Sequence, residues 1–181
     1  VGPITLLDEV GIDVGAKVAK TLGAAFPGRI TVPDTVDTFL AQKRLGRKSG
    51  AGFYDYPEGG KKVLWPGLAK EYPRLAQQPG IEELKTRLLY IQALETARCF
   101  EEGVLRSAHE ADLGSILGWG FPAWTGGTLS FIDTIGIREF VAECERLAKR
   151  YGKRFKPSKW LRERAERGEP FHPAVGGTKA A

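Results

Sequence analysis

Apolar residues recur at three- and four-residue steps over most of this chain, and the pattern lays out a succession of amphipathic helices. Leu6, Leu7, Val10, Val14, Val18 and Leu22 define one over residues 3–25, with Pro3 in its first turn. Val36, Phe39, Leu40 and Leu45 define a second over residues 35–45. The longest runs over residues 81–105, where Ile81, Leu84, Leu88, Ile91, Leu94 and Ala97 share a face opposite Glu82, Glu83, Lys85 and Arg87. Another opens at His109-Glu110-Ala111-Asp112 with acidic residues in its first turn, as the helix macrodipole favours. One over residues 129–151 turns Phe140, Val141, Cys144 and Leu147 inward and stops at Gly152, and a last short one covers residues 159–167. No stretch alternates with period two, so the expected fold is all-α.

Between the fourth and fifth of these helices lies a corner rich in glycine and aromatic residues. Gly114, Gly118 and Gly120 allow close backbone approach, Trp119, Phe121 and Trp124 supply apolar bulk, and Pro122 and Gly126-Gly127 break the chain before the next helix. The helical pattern beginning at that corner is also written at the start of the chain. Gly127, Asp133 and Gly136 stand 125 positions after Gly2, Asp8 and Gly11 in matching apolar frames. A helical unit used twice is the expected architecture, with the first copy shortened at its N-terminus.

Composition narrows the reading. A chain of 181 residues has room for one domain or two small ones, and 42% hydrophobic content suffices for a core. The formal charge of +5 is spread along the chain; its densest basic stretch, residues 149–156, sits at a helix end, where cations meet the negative pole of the macrodipole. Cys99 and Cys144 lack metal-ligand spacing and fall in helical runs, as small buried residues do. No run is long and apolar enough to span a bilayer. The chain opens Val-Gly-Pro inside the repeated unit and contains no methionine, so it is expected to be a piece of something longer.

Candidate chemistry is thin. The Gly46-Arg47-Lys48-Ser49-Gly50-Ala51-Gly52 run offers glycines and cations, but the Lys precedes the last two glycines and no strand leads in, so it fails as a phosphate-binding P-loop and reads as a turn. Gln92, Glu95 and Arg98 form a polar stripe suited to a solvent face or an interhelical hydrogen bond. His109 and His172 are the only histidines. Adjacent helical residues point apart, so His109 and Glu110 do not make a base with its carboxylate, and His172 is expected in a mobile tail. No catalytic, cofactor-binding or metal-ligating residue is expected in this chain.

Taken together, Leu6-Leu7-Asp8, Val10-Gly11-Ile12-Asp13, the Gly46–Tyr56 run, Arg98, Glu101-Glu102-Gly103-Val104, Ala111-Asp112, Gly118-Trp119-Gly120-Phe121-Pro122, Thr125-Gly126-Gly127 and Phe131-Ile132-Asp133 resemble the C-terminal helical region of 3-hydroxyacyl-CoA dehydrogenases. Within that family they are most similar to the multifunctional fatty-oxidation alpha subunits, which join the dehydrogenase to an enoyl-CoA hydratase. The resemblance spans residues 1 to about 171. It implies a parent enzyme that oxidises 3-hydroxyacyl-CoA to 3-ketoacyl-CoA with NAD during β-oxidation, the His-Glu base and the substrate-side Asn and Ser lying in parts without a counterpart here. The absence of asparagine and of a Gly-x-Gly-x-x-Gly run on a strand agrees with this.

The expected organisation is a truncated first repeat at residues 1–56, an irregular Pro- and Gly-rich connection at 57–80, a second repeat at 81–171 and a disordered tail at 172–181. The implied partners are the nucleotide-binding and hydratase-like domains of the parent, a thiolase subunit, and acyl-CoA at the domain cleft. Neither nucleic acid nor a membrane is expected as a partner, and the setting is a cytoplasmic bacterial-type complex or its mitochondrial or peroxisomal equivalent. The isolated chain is expected to be inactive and to hide the apolar face of residues 3–25 by self-association or by rearranging that helix. A different reading stays open, in which the chain is a standalone helical module binding a polyanion through residues 149–156.

Overall fold

A computed structural model describes residues 2–29 and 35–172. The chain divides into two compact units, Val1–Gln78 and Pro79–Ala181. Helices dominate both, as the periodicity predicts.

The first unit contains α1 (Pro3–Val10), α2 (Ile12–Ala25), α3 (Thr35–Ala41), a short antiparallel ribbon of β1 (Tyr54–Asp55) and β2 (Val63–Leu64), and the one-turn α4 (Leu68–Glu71). The single helix expected over residues 3–25 is two helices. At Gly11 the backbone takes φ +105° and ψ 127°, a conformation L side chains rarely adopt, so the chain turns there even though the apolar spacing continues on both sides. The amide of Gly11 still donates to Leu7 O and its carbonyl still accepts from Gly15, which keeps the corner's polar groups satisfied. The helix expected to reach residue 45 stops at Ala41, with Lys43 left-handed at φ 56° just beyond.

Residues 57–78 group with the first unit, and the division between the units falls inside the stretch 57–80 expected to be an irregular connection. β2 pairs with β1 in the register Tyr54 with Leu64 and Asp55 with Val63, so the chain has a strand pair where none was expected. Trp65 then sets its ring edge-on to Phe39 at 5.6 Å, and Phe53 lies 4.3 Å from the same Phe39. Arg44 stacks over Trp65 at 4.1 Å. This aromatic cluster is the small core of the unit, together with Ile12.

The second unit is larger: α5 (Ile81–Glu101), α6 (Ala108–Trp119), α7 (Thr128–Ile135), α8 (Ile137–Tyr151) and α9 (Lys159–Arg167). Ser107 caps α6 by accepting from Glu110 N, and Ser158 caps α9 by accepting from Leu161 N. Here too the expected long helix, residues 129–151, is broken by a glycine, Gly136 at φ +97° and ψ 126°. Leu94, Leu129, Ile132, Phe140, Cys144 and Leu161 form the heart of the core, and Tyr90 lies flat on Phe140 at 4.8 Å while meeting Phe131 edge-on at 5.6 Å. Burial pushes the Cys144 thiol up to about 12, so it stays a neutral packing group.

The units differ in how their apolar faces are covered. In the first, Ile4, Leu6, Val10, Val18 and Leu22 lie exposed along α1 and α2; in the second, Leu129, Phe131 and Leu147, 125 positions after Ile4, Leu6 and Leu22, are buried. Of the expected tail, His172 is held in place by hydrogen bonds, and residues 173–181 lie outside the described residues.

Candidate functional site

The polar centre of the second unit is assembled by α6 and the glycine-rich corner. Asp112, on the inner face of α6, reaches the start of α7. Its Oδ1 accepts from Leu129 N at 2.7 Å and Ser130 N at 3.2 Å, and its Oδ2 from Ser130 Oγ at 2.6 Å. One carboxylate thus satisfies orphan amides of the α7 N-terminus and sits at the positive pole of that helix. The corner makes room for it: a Cβ on Gly127 would collide with Asp112.

His172 closes the constellation. Its Nε2 lies 2.7 Å from Asp112 Oδ2 and 3.3 Å from Ser130 Oγ, while its ring stands 4.9 Å from that of His109. These side chains, with Leu113, Ile116 and Gly126, line an open cleft of about 300 Å³.

Serine, histidine and aspartate in contact invite comparison with a nucleophilic triad, but the directions are wrong. In a triad the serine gives its proton to one imidazole nitrogen while the other nitrogen is held by the carboxylate. Ser130 instead donates directly to Asp112, and the same His172 nitrogen faces both partners. An ionised carboxylate only accepts, so Nε2 carries a proton into that contact and has no lone pair to receive the serine's. The arrangement fastens the segment around His172 to α6 and α7.

Asp133, near the end of α7, completes the fastening by accepting from Phe171 N and His172 N, each at 2.8 Å. The first unit holds a comparable device. Asp8, fully buried near the end of α1, accepts from Phe53 N at 2.8 Å, Tyr54 N at 2.9 Å and Tyr56 Oη at 2.9 Å. Burial and the Asp8 contact raise the Tyr56 phenol to about 12. In both units an arginine holds the carbonyl just ahead of the paired amides: Arg44 Nε donates to Gly52 O at 2.9 Å, and Arg164 donates to Pro170 O.

The remaining polar motifs resolve into structural contacts. Arg47 pairs with Glu9 at 2.8 Å and Lys48 with Asp13, so the cations of the glycine-rich run already hold carboxylates. Gln92 accepts from Trp119 Nε1 at 3.0 Å, joining α5 to α6, and Arg98 donates to the carbonyls of Arg154 and Lys156, tying down the turn after α8. Glu110 is exposed in the first turn of α6, apart from the cleft that His109 lines. Sequence reasoning passed over Asp112, Ser130 and His172 as a group. The legible signal was a lone aspartate in an apolar frame, since a buried carboxylate needs several donors.

Among the described residues, no three His, Cys, Asp or Glu side chains are placed to hold a metal ion. The strands described are two-residue antiparallel partners, and no βαβ unit occurs among the described residues.

Comparison with known proteins agrees with the fold and the motifs. Residues 1–56 match the family described as 3-hydroxyacyl-CoA dehydrogenase, C-terminal domain. The chain is 41% identical over 179 residues to the fatty acid oxidation complex subunit alpha of Vibrio cholerae serotype O1, covering 96% of this chain and 25% of that protein. It is 41% identical over 175 residues to the subunit of the same name from Shewanella halifaxensis, covering 94% and 24%. The chain therefore spans about a quarter of the length of these relatives. The crystal structure of 3-hydroxybutyryl-CoA dehydrogenase from Escherichia coli K12 shares the fold with a TM-score of 0.67 at 20% identity, over 92% of this chain and 51% of that one. The motifs, the near full-length identity and the shared fold agree: this chain belongs to the 3-hydroxyacyl-CoA dehydrogenase family, as a counterpart of its C-terminal domain.

Proposed function

We propose that this chain is the helical supporting part of an NAD-dependent 3-hydroxyacyl-CoA dehydrogenase of fatty-acid β-oxidation, an enzyme that oxidises 3-hydroxyacyl-CoA to 3-ketoacyl-CoA. The observation that carries the reading is 41% identity, sustained over 96% of the chain, to a subunit of the fatty acid oxidation complex. The site geometry supports a supporting role rather than a reacting one: Ser130 spends its proton on Asp112, and Asp112 is occupied in holding α7. NAD is bound elsewhere in the parent enzyme, and the chain contributes a wall of the acyl-CoA cleft and contacts to the nucleotide-binding and hydratase-like parts. A thiolase subunit is a further partner in the complex. The setting is the cytoplasm, in keeping with bacterial relatives and with the absence of any helix long and apolar enough to cross a membrane among the described residues. The two aspartate-glycine corners are copies of one unit, and isolated chains associate through the exposed α1–α2 face.

Reduction of acetoacetyl-CoA by NADH tests this. The expected result is no turnover by the 181-residue chain and turnover by the longer protein that contains it. Turnover by the chain alone overturns the reading.

A further inference from the structure

The basic stretch after α8 is used neither by the core nor by the cleft. Residues 149–156 hold five cations, Lys149, Arg150, Lys153, Arg154 and Lys156, and no acid, as many charges as the net +5 of the whole chain. All five are exposed. The macrodipole accounts for cations in the last turn of a helix, but Lys153, Arg154 and Lys156 lie beyond Tyr151, where α8 ends. Other surface cations of this unit have a carboxylate: Lys85 pairs with Glu82, Arg146 with Glu83 and Glu143, Lys159 with Glu163 and Arg167 with Glu169. Among the described residues, none is in ion-pair contact with Lys149, Lys153, Arg154 or Lys156.

The backbone beneath these side chains is held in place. Phe155 is 2% exposed and Pro157 is fully buried, so both anchor the turn in the unit. Arg98 on α5 donates to the carbonyls of Arg154 at 3.2 Å and Lys156 at 2.9 Å. A guanidinium thus grips the turn by its backbone while the turn's own charges stay in solvent. Cations on an anchored turn meet a partner without the entropy cost of ordering a loop.

The surroundings narrow the kind of partner. Single-stranded nucleic acid is held by aromatic faces as well as cations, but Phe155 is buried and the Tyr151 ring is covered by Arg87 at 4.2 Å and Arg150 at 5.3 Å. A membrane-surface site adds apolar side chains that enter the bilayer, and the exposed residues of 149–156 are the five cations and Gly152. What the face offers is positive charge spread over a helix end and a turn, which matches carboxylates spread over a folded surface. We propose that Lys149, Lys153, Arg154 and Lys156 form a docking surface for another protein, one that presents a cluster of aspartate and glutamate side chains. Exposed charges of this kind speed and select the encounter more than they tighten it, so the contact weakens as salt rises.

The probe is a fluorescein-labelled peptide of about twenty glutamates, titrated with the 181-residue chain at about 0.1 M salt, where charges more than about 10 Å away are largely screened. Lys149→Glu, Lys153→Glu and Lys156→Glu are made together; Lys17→Glu, Lys20→Glu and Lys70→Glu, at exposed positions of the first unit, give a control with the same change of charge. The expected result is an affinity loss of about tenfold or more in the first variant and under about threefold in the control. Should the first variant lose amide-exchange protection along α8, the milder Lys149→Gln, Lys153→Gln, Lys156→Gln variant takes its place, with a loss of about fivefold expected. Equal losses in patch and control variants overturn the proposal, as does a failure of the original chain to bind the peptide. So does tighter binding, lost in the same patch variant, of a duplex DNA of about twenty base pairs or of phosphatidylglycerol vesicles, which assigns the face to nucleic acid or to a bilayer. None of these readouts depends on dehydrogenase activity, so the docking proposal and the functional reading fail separately.

Discussion

The corner between α1 and α2 and the corner between α7 and α8 solve the same problem with different surroundings. Each turns at a left-handed glycine with nearly the same backbone, φ +105° and ψ 127° at Gly11 against φ +97° and ψ 126° at Gly136. Each places an aspartate three residues earlier that grips two consecutive amides from a distant stretch, Phe53 and Tyr54 in one case and Phe171 and His172 in the other. The apolar residues around the second corner are buried and those around the first are largely bare. The lesson is that the polar fastening of such a corner does not require its apolar face to be covered, so the two contributions can be probed one at a time.

The largest expected effect comes from the fastening. Asp8→Ala leaves two amides and a half-buried phenol without an acceptor and is expected to destabilise the first unit by about 4 kcal/mol, with Asp133→Ala costing about 3 kcal/mol in the second; urea unfolding read separately by exchange in each unit checks both. Equal, small losses would mean that water replaces the carboxylates and that the two corners are not fastened alike. Next comes the apolar contrast: Leu129→Ala is expected to cost about 3 kcal/mol and Ile4→Ala under about 0.5 kcal/mol, although the two side chains hold matching positions. A comparable loss at Ile4 in a monomeric sample would erase the distinction between a bare face and a covered one.

Smaller effects sharpen the comparison. Gly11→Ala and Gly136→Ala each force a Cβ into positive φ and are expected to lose about 1–2 kcal/mol by thermal unfolding, similar in both units because the backbone is similar. The units separate again in their response to pH. Tyr56 is raised from 10.0 to about 12, so its protonated form is favoured in the fold; its contribution is complete below pH 10 and is lost as the pH rises toward 12. Tyr56→Phe is expected to flatten that alkaline limb in the first unit. In the second unit Glu83 is held below its usual value of 4.5, first by the Arg146 hydrogen bond and then by Tyr151, so its contribution is present above that pH and fades as the pH falls through the lowered value. Glu83→Gln is expected to produce the smallest change, a shallower acid limb in unfolding midpoints measured against pH.

Much of this architecture was legible in the residues. The last helix spans Lys159–Arg167 as its spacing implies, α5 begins at Ile81, and the corner before α7 contains the turn that Pro122 and Gly126-Gly127 demand. The breaks at Gly11 and Gly136 were not, because apolar periodicity reports which faces are buried and not whether the axis changes direction between them. The strand pair was equally hidden, since two residues per strand carry no alternation. His172 reads as tail in the sequence because its partner Asp112 is 60 positions away, and nothing local to a histidine between Phe171 and Pro173 announces a distant carboxylate. The site was therefore readable as a set of residue types and unreadable as a set of contacts.

Asp8 and Asp133 recognise peptide N–H groups, and a peptide N–H looks the same whatever side chain it belongs to. The strand of chain gripped by each is thus at liberty to change its residues, as Phe-Tyr in one unit and Phe-His in the other already illustrate, while the aspartate itself is not. Two corners can in this way grip stretches with different side chains and still close with the same buckle.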